Sequence, residues 1–209
     1  MGRAREHLAA VVDLLAPPEC AACGIGLRVE ERGFCGGCGP LIDEAAHGVA
    51  AYVFGGPLAD AIRRVKYGGR TEHVAALGAL LSVPARRHAG LVDAVVPVPL
   101  HPQRLRSRGF DHVALLARHV ARSLGVPWQV RRLRRARATP PQAGLKGADR
   151  VANVRGAFRA RPDAKRPRVL LVDDVRTTGA TLEAAADALR AAGASHVRLL
   201  ALAGTEPMQ

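Results

Sequence analysis

Val169-Leu-Leu-Val172 runs into two carboxylates, Asp173 and Asp174, and then into Thr177-Thr-Gly-Ala-Thr181. The apolar run reads as a parallel strand buried on both faces. Its carboxyl end is where open α/β sheets place ligands. The turn beyond it opens a helix, so amides without intrahelical partners and the positive end of the dipole form a cradle for a phosphate. Gly179 permits close backbone approach, Ala180 adds an amide, and Thr177, Thr178 and Thr181 add hydroxyl donors. Adjacent acids suit vicinal sugar hydroxyls and the hydration shell of Mg2+. Acids for a ribose and amides for its 5′-phosphate describe a site for a ribose-5-phosphate group. A merely capped strand–helix turn with surface acids is the alternative, and the coincidence of strand, acids and glycine turn weighs against it.

A second constellation holds every cysteine. Cys20-Ala-Ala-Cys23 and Cys35-Gly-Gly-Cys38 are spaced C-x2-C-x11-C-x2-C. Two residues between thiolates let both sulfurs of a tight knuckle reach one ion, and neighbouring glycines ease the turn. Two knuckles predict a closed four-thiolate site for structural zinc. Two disulfides would need an oxidising compartment. A redox pair would not need a second matching pair.

The third feature is charge. Residues 101–170 hold eighteen Lys or Arg against three acids, within a chain of net charge +13. This excess asks for an anionic partner or a well-solvated face. A basic loop, His101-Pro-Gln-Arg-Leu-Arg-Ser-Arg-Gly-Phe110, carries Arg104, Arg106 and Arg108. Further on, Arg131, Arg132, Arg134, Arg135 and Arg137 follow Trp128 closely, as a strip for single-stranded nucleic acid would, with Trp128 stacking a base. A core tryptophan beside a solvated strand edge is the other reading.

These groups need a frame. The chain of 209 residues is long enough for one medium α/β domain and an appendage, and with 48% apolar but 3% aromatic residues its core must be mostly Ala, Val and Leu. No stretch reaches the roughly 18 apolar residues of a membrane helix, and the N-terminus reads better as an amphipathic helix over 4–15 than as a signal peptide. The expected location is cytoplasmic, without membrane insertion. The patterning predicts a strand at Tyr52–Phe54, helices at Leu58–Tyr67 and Glu72–Leu81, and a strand through 93–97. A helix from Asp111, its N-cap, to Leu124 follows. Residues 134–157, rich in Pro and Gly, predict a long functional loop. Strand 169–172, helix 179–192 and strand 196–202 close the chain. The division is 1–48 for the N-terminal helix and ribbon and 49–209 for the α/β domain.

The motif at 169–182 resembles the signature of type I phosphoribosyltransferases. Val96-Pro-Val-Pro-Leu-His-Pro-Gln-Arg-Leu-Arg-Ser-Arg-Gly-Phe-Asp-His112, Thr139-Pro-Pro-Gln-Ala-Gly-Leu145, Arg150-Val-Ala-Asn-Val-Arg-Gly-Ala-Phe158, Lys66-Tyr67 and the cysteine ribbon resemble the ComF competence family. Asp111 stands where that family commonly has Asn. The resemblance implies a parallel sheet flanked by helices that binds phosphoribosyl pyrophosphate with Mg2+. Asp173 and Asp174 would meet the ribose, residues 177–181 its 5′-phosphate, and Arg104, Arg106 and Arg108 the pyrophosphate. Thr139, Gln142 and Arg150 would lie on a flexible loop closing over the substrate. Transfer to an unidentified acceptor is one implied function. A non-catalytic nucleic-acid-binding role in DNA uptake, with single-stranded DNA and a competence helicase-like ATPase as partners, is the other. No residue stands out as general base; His101 and His112 are near the right motif and equally suit packing or surface positions.

Overall fold

The computed structural model describes residues 18–136, 154 and 156–205. The helix expected over 4–15 and the loop residues Arg137, Thr139, Gln142 and Arg150 lie outside them. Four apolar segments form one parallel sheet: β1 (Ala50–Val53), β2 (Ala94–Pro97), β5 (Arg168–Arg176) and β6 (His196–Gly204), ordered β1-β6-β5-β2. β5 is central and carries the densest run of fully buried residues, Val169 to Val172. It runs beyond the expected end at Val172, because β6 continues beside it and pairs Asp173 with Ala201 and Val175 with Ala203. Both acids are therefore strand residues.

Side chains alternate across a strand, and β5 divides the core accordingly. Leu170 and Val172 join one cluster with α1 (Gly56–Tyr67), α2 (His73–Ala85) and α4 (His112–Leu124). Val169 and Leu171 join the other, against α5 (Ala180–Ala191). The cysteine segment belongs to the first cluster through Cys20, Ala21 and Ala22. It is also tied to α1 by the Arg64 guanidinium, which donates to the Ala22 carbonyl at 3.4 Å and pairs with Glu19 at 3.7 Å. Among the described residues, no helix is long and apolar enough to cross a membrane.

Two expectations are corrected. The basic segment after β2 is a helix, α3 (Pro102–Arg108), not a loop. His101 caps it by accepting from the Gln103 amide at 3.2 Å, Pro102 occupies the first turn, and Gly109 ends it at φ 78°. The irregular stretch expected over 134–157 does not include Arg134 and Arg135: β3 (Leu133–Arg135) pairs antiparallel with β4 (Phe158–Ala160) in a separate ribbon. Buried Leu133 and Phe158 anchor that ribbon, and three residues are too few for a period-two pattern to show. The Asp111 cap holds as expected, its Oδ1 accepting from the Ala114 amide at 2.9 Å.

α2 runs four residues past Leu81 and includes Pro84. Proline has no N–H for the carbonyl four residues back, Leu80. The buried Tyr52 hydroxyl on β1 donates to that carbonyl instead, at 3.1 Å. Tyr52→Phe should therefore cost about 1 kcal/mol in urea denaturation, and clearly less in a Pro84→Ala background, where a backbone donor is restored. Equal costs in the two backgrounds would contradict this account.

Candidate functional site

The alternation of β5 continues through the acids. Asp174 turns to the α1/α4 face, and both acids are almost wholly buried. A buried carboxylate needs partners. Asp174 Oδ2 has two: Lys66 Nζ at 2.7 Å, from the last turn of α1, and His112 Nε2 at 2.5 Å, from the first turn of α4. Its Oδ1 accepts from the Val175 amide at 2.6 Å. Burial pushes this carboxyl up, but Lys66 and His112 outweigh it and hold it far below the ordinary carboxylate range. Asp173 is shifted the other way, first by burial and then by the Asp174 charge, although its Oδ1 accepts from the Asp174 amide at 2.9 Å.

Both histidines near the motif are engaged. His101 caps α3 through Nδ1, and His112 lies 2% exposed against Asp174. Of the three α3 arginines, Arg104 and Arg106 are exposed. Arg108 turns inward: its Nε donates to the Lys66 carbonyl at 2.9 Å, its Nη1 reaches His112 Nδ1 at 2.9 Å, and its guanidinium lies 6.0 Å from the exposed Tyr67 ring. Lys66 entered the sequence analysis only through the resemblance and His112 only as a candidate base; neither was expected at Asp174. The signal available was the strand itself, since an acid at position 174 must face the helices and find a cation there.

The turn after β5 is open. Thr177 and Thr178 are exposed, and Gly179, Ala180 and Thr181 are half-exposed. Gly179, at φ 83°, is the N-cap of α5 and supplies no side-chain cap. Thr178 Oγ1 accepts from the Ala180 amide at 3.4 Å. A Cβ on Gly179 would stand 3.2 Å from Arg176 Nε, so glycine lets this guanidinium lie across the turn. Arg176 is a cation that the motif reading passed over. The arrangement can receive a dianionic group at a helix start, with a cation and hydroxyls around it.

All four cysteines are free thiols, with sulfurs within 4.8 Å of one another. The Cys23 and Cys35 sulfurs are 3.8 Å apart. A tetrahedral ion with metal–sulfur bonds near 2.3 Å requires an edge of about 3.8 Å, so the set fits a four-thiolate zinc site. Burial opposes ionisation of Cys20, but the amides of Cys23, Cys35 and Ala22 outweigh it and bring its thiol down to about 6. Burial and then the other three sulfurs push Cys38 up to about 12. Four thiolates this close need a cation among them.

The Asp174 shift fixes a pH dependence. A carboxylate depressed in the folded state adds stability above its unfolded value near 3.9, and that stability is lost as pH falls through the folded value. Lys66→Met should therefore cost roughly 3 kcal/mol at neutral pH, by leaving a buried carboxylate short of a partner. The difference from wild type should shrink below about pH 4 in urea melts. A pH-independent difference would show that lost packing, not charge, is responsible.

A family model, the phosphoribosyl transferase domain, matches residues 114–207. The chain is 36% identical over 154 residues to a protein of Salmonella typhi named DNA utilization protein YhgH, covering 71% of this chain and 68% of that one. It is 31% identical over 197 residues to Competence protein F of Haemophilus influenzae, covering 89% and 84%. Among solved structures it is similar to the B. subtilis glutamine phosphoribosylpyrophosphate amidotransferase, at 23% identity and a TM-score of 0.45, over 66% of this chain and 30% of that one. The chain belongs to the ComF family, with a phosphoribosyltransferase-type parallel sheet and a clustered four-cysteine ribbon.

Proposed function

We propose that this chain binds phosphoribosyl pyrophosphate with Mg2+ and transfers its phosphoribosyl group to an acceptor. The observation that carries this reading is β5, which delivers two buried acids and then an open amide turn at the start of α5. In this reading Asp173 and Asp174 accept from the ribose hydroxyls. The amides and hydroxyls of Thr177, Thr178, Gly179, Ala180 and Thr181 hold the 5′-phosphate. Arg104 and Arg106, exposed on α3, bind pyrophosphate oxygens in forked geometry, while Arg108 is turned inward behind them. Thr139, Gln142 and Arg150 contribute from the loop.

Asp173 suits the hydration shell of Mg2+, because it stands next to the Asp174 carboxylate near the end of β5, and adjacent carboxylates can share a hydrated cation. Mg2+ bound with pyrophosphate would neutralise the leaving group. In the reaction the acceptor's lone pair forms a bond to the anomeric carbon as the bond from that carbon to the pyrophosphate oxygen breaks. The electron pair leaves with pyrophosphate. The chain's share is positioning, charge neutralisation and exclusion of water. The acceptor proton is not taken by His112, whose ring is buried and bonded on both nitrogens.

Calorimetry should show phosphoribosyl pyrophosphate binding that needs Mg2+. Asp173→Asn and the pair Arg104→Glu/Arg106→Glu should each weaken it by roughly tenfold or more, in line with lost contacts to charged groups. Pyrophosphate release with a panel of nucleobases and amines then tests transfer. An absence of binding heat for the wild-type chain would overturn the proposal.

Structural zinc is part of the same proposal, on the 3.8 Å sulfur spacing. Elemental analysis should find about one zinc per chain, lost in Cys35→Ser together with thermal stability. Metal-free wild-type protein of unchanged stability would contradict it.

One observation favours nucleic-acid binding as a second activity. Arg134 and Arg159 stand directly opposite each other on β3 and β4, both exposed, with exposed Arg131 and Arg161 nearby. Like charges across a ribbon repel unless an anion lies over them. Trp128 is neither core nor free: it is 36% exposed and bridges to Val95, and Arg118 lies 5.8 Å from its ring. Arg134→Glu/Arg159→Glu should weaken single-stranded oligonucleotide binding and flatten its salt dependence, read by fluorescence anisotropy. The two activities are independent in these tests.

A further inference from the structure

Lys66, Arg108, His112 and Asp174 come from four different elements and close a ring. Arg108 Nε donates to the Lys66 carbonyl and its Nη1 meets His112 Nδ1, while His112 Nε2 and Lys66 Nζ converge on Asp174 Oδ2. A guanidinium only donates, so the nitrogen it meets must present a lone pair. Arg108 Nη1 is 2.9 Å from Nδ1 and 3.4 Å from Nε2, so Nδ1 presents the lone pair, and Nε2, 2.5 Å from a carboxylate oxygen, carries the hydrogen and donates it to Asp174. The Phe110 ring stands edge-on beside the imidazole, centroids 6.4 Å apart, and His112 is 2% exposed.

Oδ2 of Asp174 then has both acceptor directions filled. Oδ1 accepts one backbone amide, that of Val175, and keeps a lone pair. We propose that Arg108 and His112 are positioning residues which lock the His112 tautomer and thereby present Asp174 Oδ1, and not Oδ2, to the sugar hydroxyl. Arg108 stands on the same helix as Arg104 and Arg106, one turn from Arg104, so the ring also ties the arginine helix to the ribose-facing acid. This rests on the phosphoribosyl reading of the site. It gives that site a residue pair whose work is done without touching the substrate.

The ring can be tested on the full-length chain in two ways. Two-bond 15N–1H spectra of the histidines, recorded without ligand, should show His112 with a bare Nδ1 and a protonated Nε2. Arg108→Met should disturb that signature. Calorimetry with phosphoribosyl pyrophosphate and Mg2+ should show His112→Leu weakened by roughly tenfold or more and His112→Gln, whose amide can restore the donor, within about threefold of wild type. Thermal melts of both variants report whether each is folded, and the glutamine variant carries the test if the leucine variant is not. A bare Nε2, a doubly protonated ring, or equal weakening in a folded glutamine variant would overturn the proposal. If the wild-type chain binds no phosphoribosyl pyrophosphate while the ligand-free spectrum is as expected, the functional reading fails and the ring's geometry stands. A wrong spectrum with intact binding fails the ring alone.

Discussion

A carboxylate that is buried and still ionised constrains much of this molecule. Asp174 sits at the carboxyl end of the central strand, under helices that pack on the sheet mainly through apolar side chains. Only cationic and hydrogen-bonding partners make that position tolerable. Lys66 must therefore lie in the last turn of α1 at the carboxyl end of the sheet, and His112 must begin α4 there. The Asp111 cap starts α4 at the register that points His112 inward, and a glycine pair ends α1 just past Lys66.

The cysteine ribbon feeds into the same arrangement through α1. Its first knuckle lies in the core with Leu58, Ile62 and Val65, and Arg64 lies over Gly24, where a Cβ would come within 2.7 Å of the guanidinium. A four-thiolate ion would thus stabilise the segment that packs on the helix delivering Lys66. Aromatic residues are scarce in this core, so small apolar side chains and polar clamps of this kind carry much of the specificity.

The parts legible in the sequence were those with a strong local pattern. The run Val169–Val172 announced a buried strand, Gly179 announced a turn, and cysteine spacing announced one four-sulfur cluster. α3 was missed because its seven residues are too few and too charged to show an apolar period, although its proline start and glycine stop were present. β3 and β4 were missed for the same reason of length. The full extent of β5 was hidden because acids end an apolar run without ending a hydrogen-bond ladder, and the ladder depends on β6. Lys66 and His112 were visible as residues, but their meeting at Asp174 is a tertiary fact: they lie more than a hundred and more than sixty positions from it, respectively, and no local spacing encodes that.

The central claim is that one strand end and one helix start together hold a ribose 5-phosphate group. A crystal structure of the chain soaked with phosphoribosyl pyrophosphate and Mg2+ tests it most directly. The account predicts 5′-phosphate oxygens within hydrogen-bond distance of the Gly179–Thr181 amides and ribose hydroxyls on Asp173 and Asp174. A sugar phosphate seated elsewhere, with both acids untouched, would contradict it.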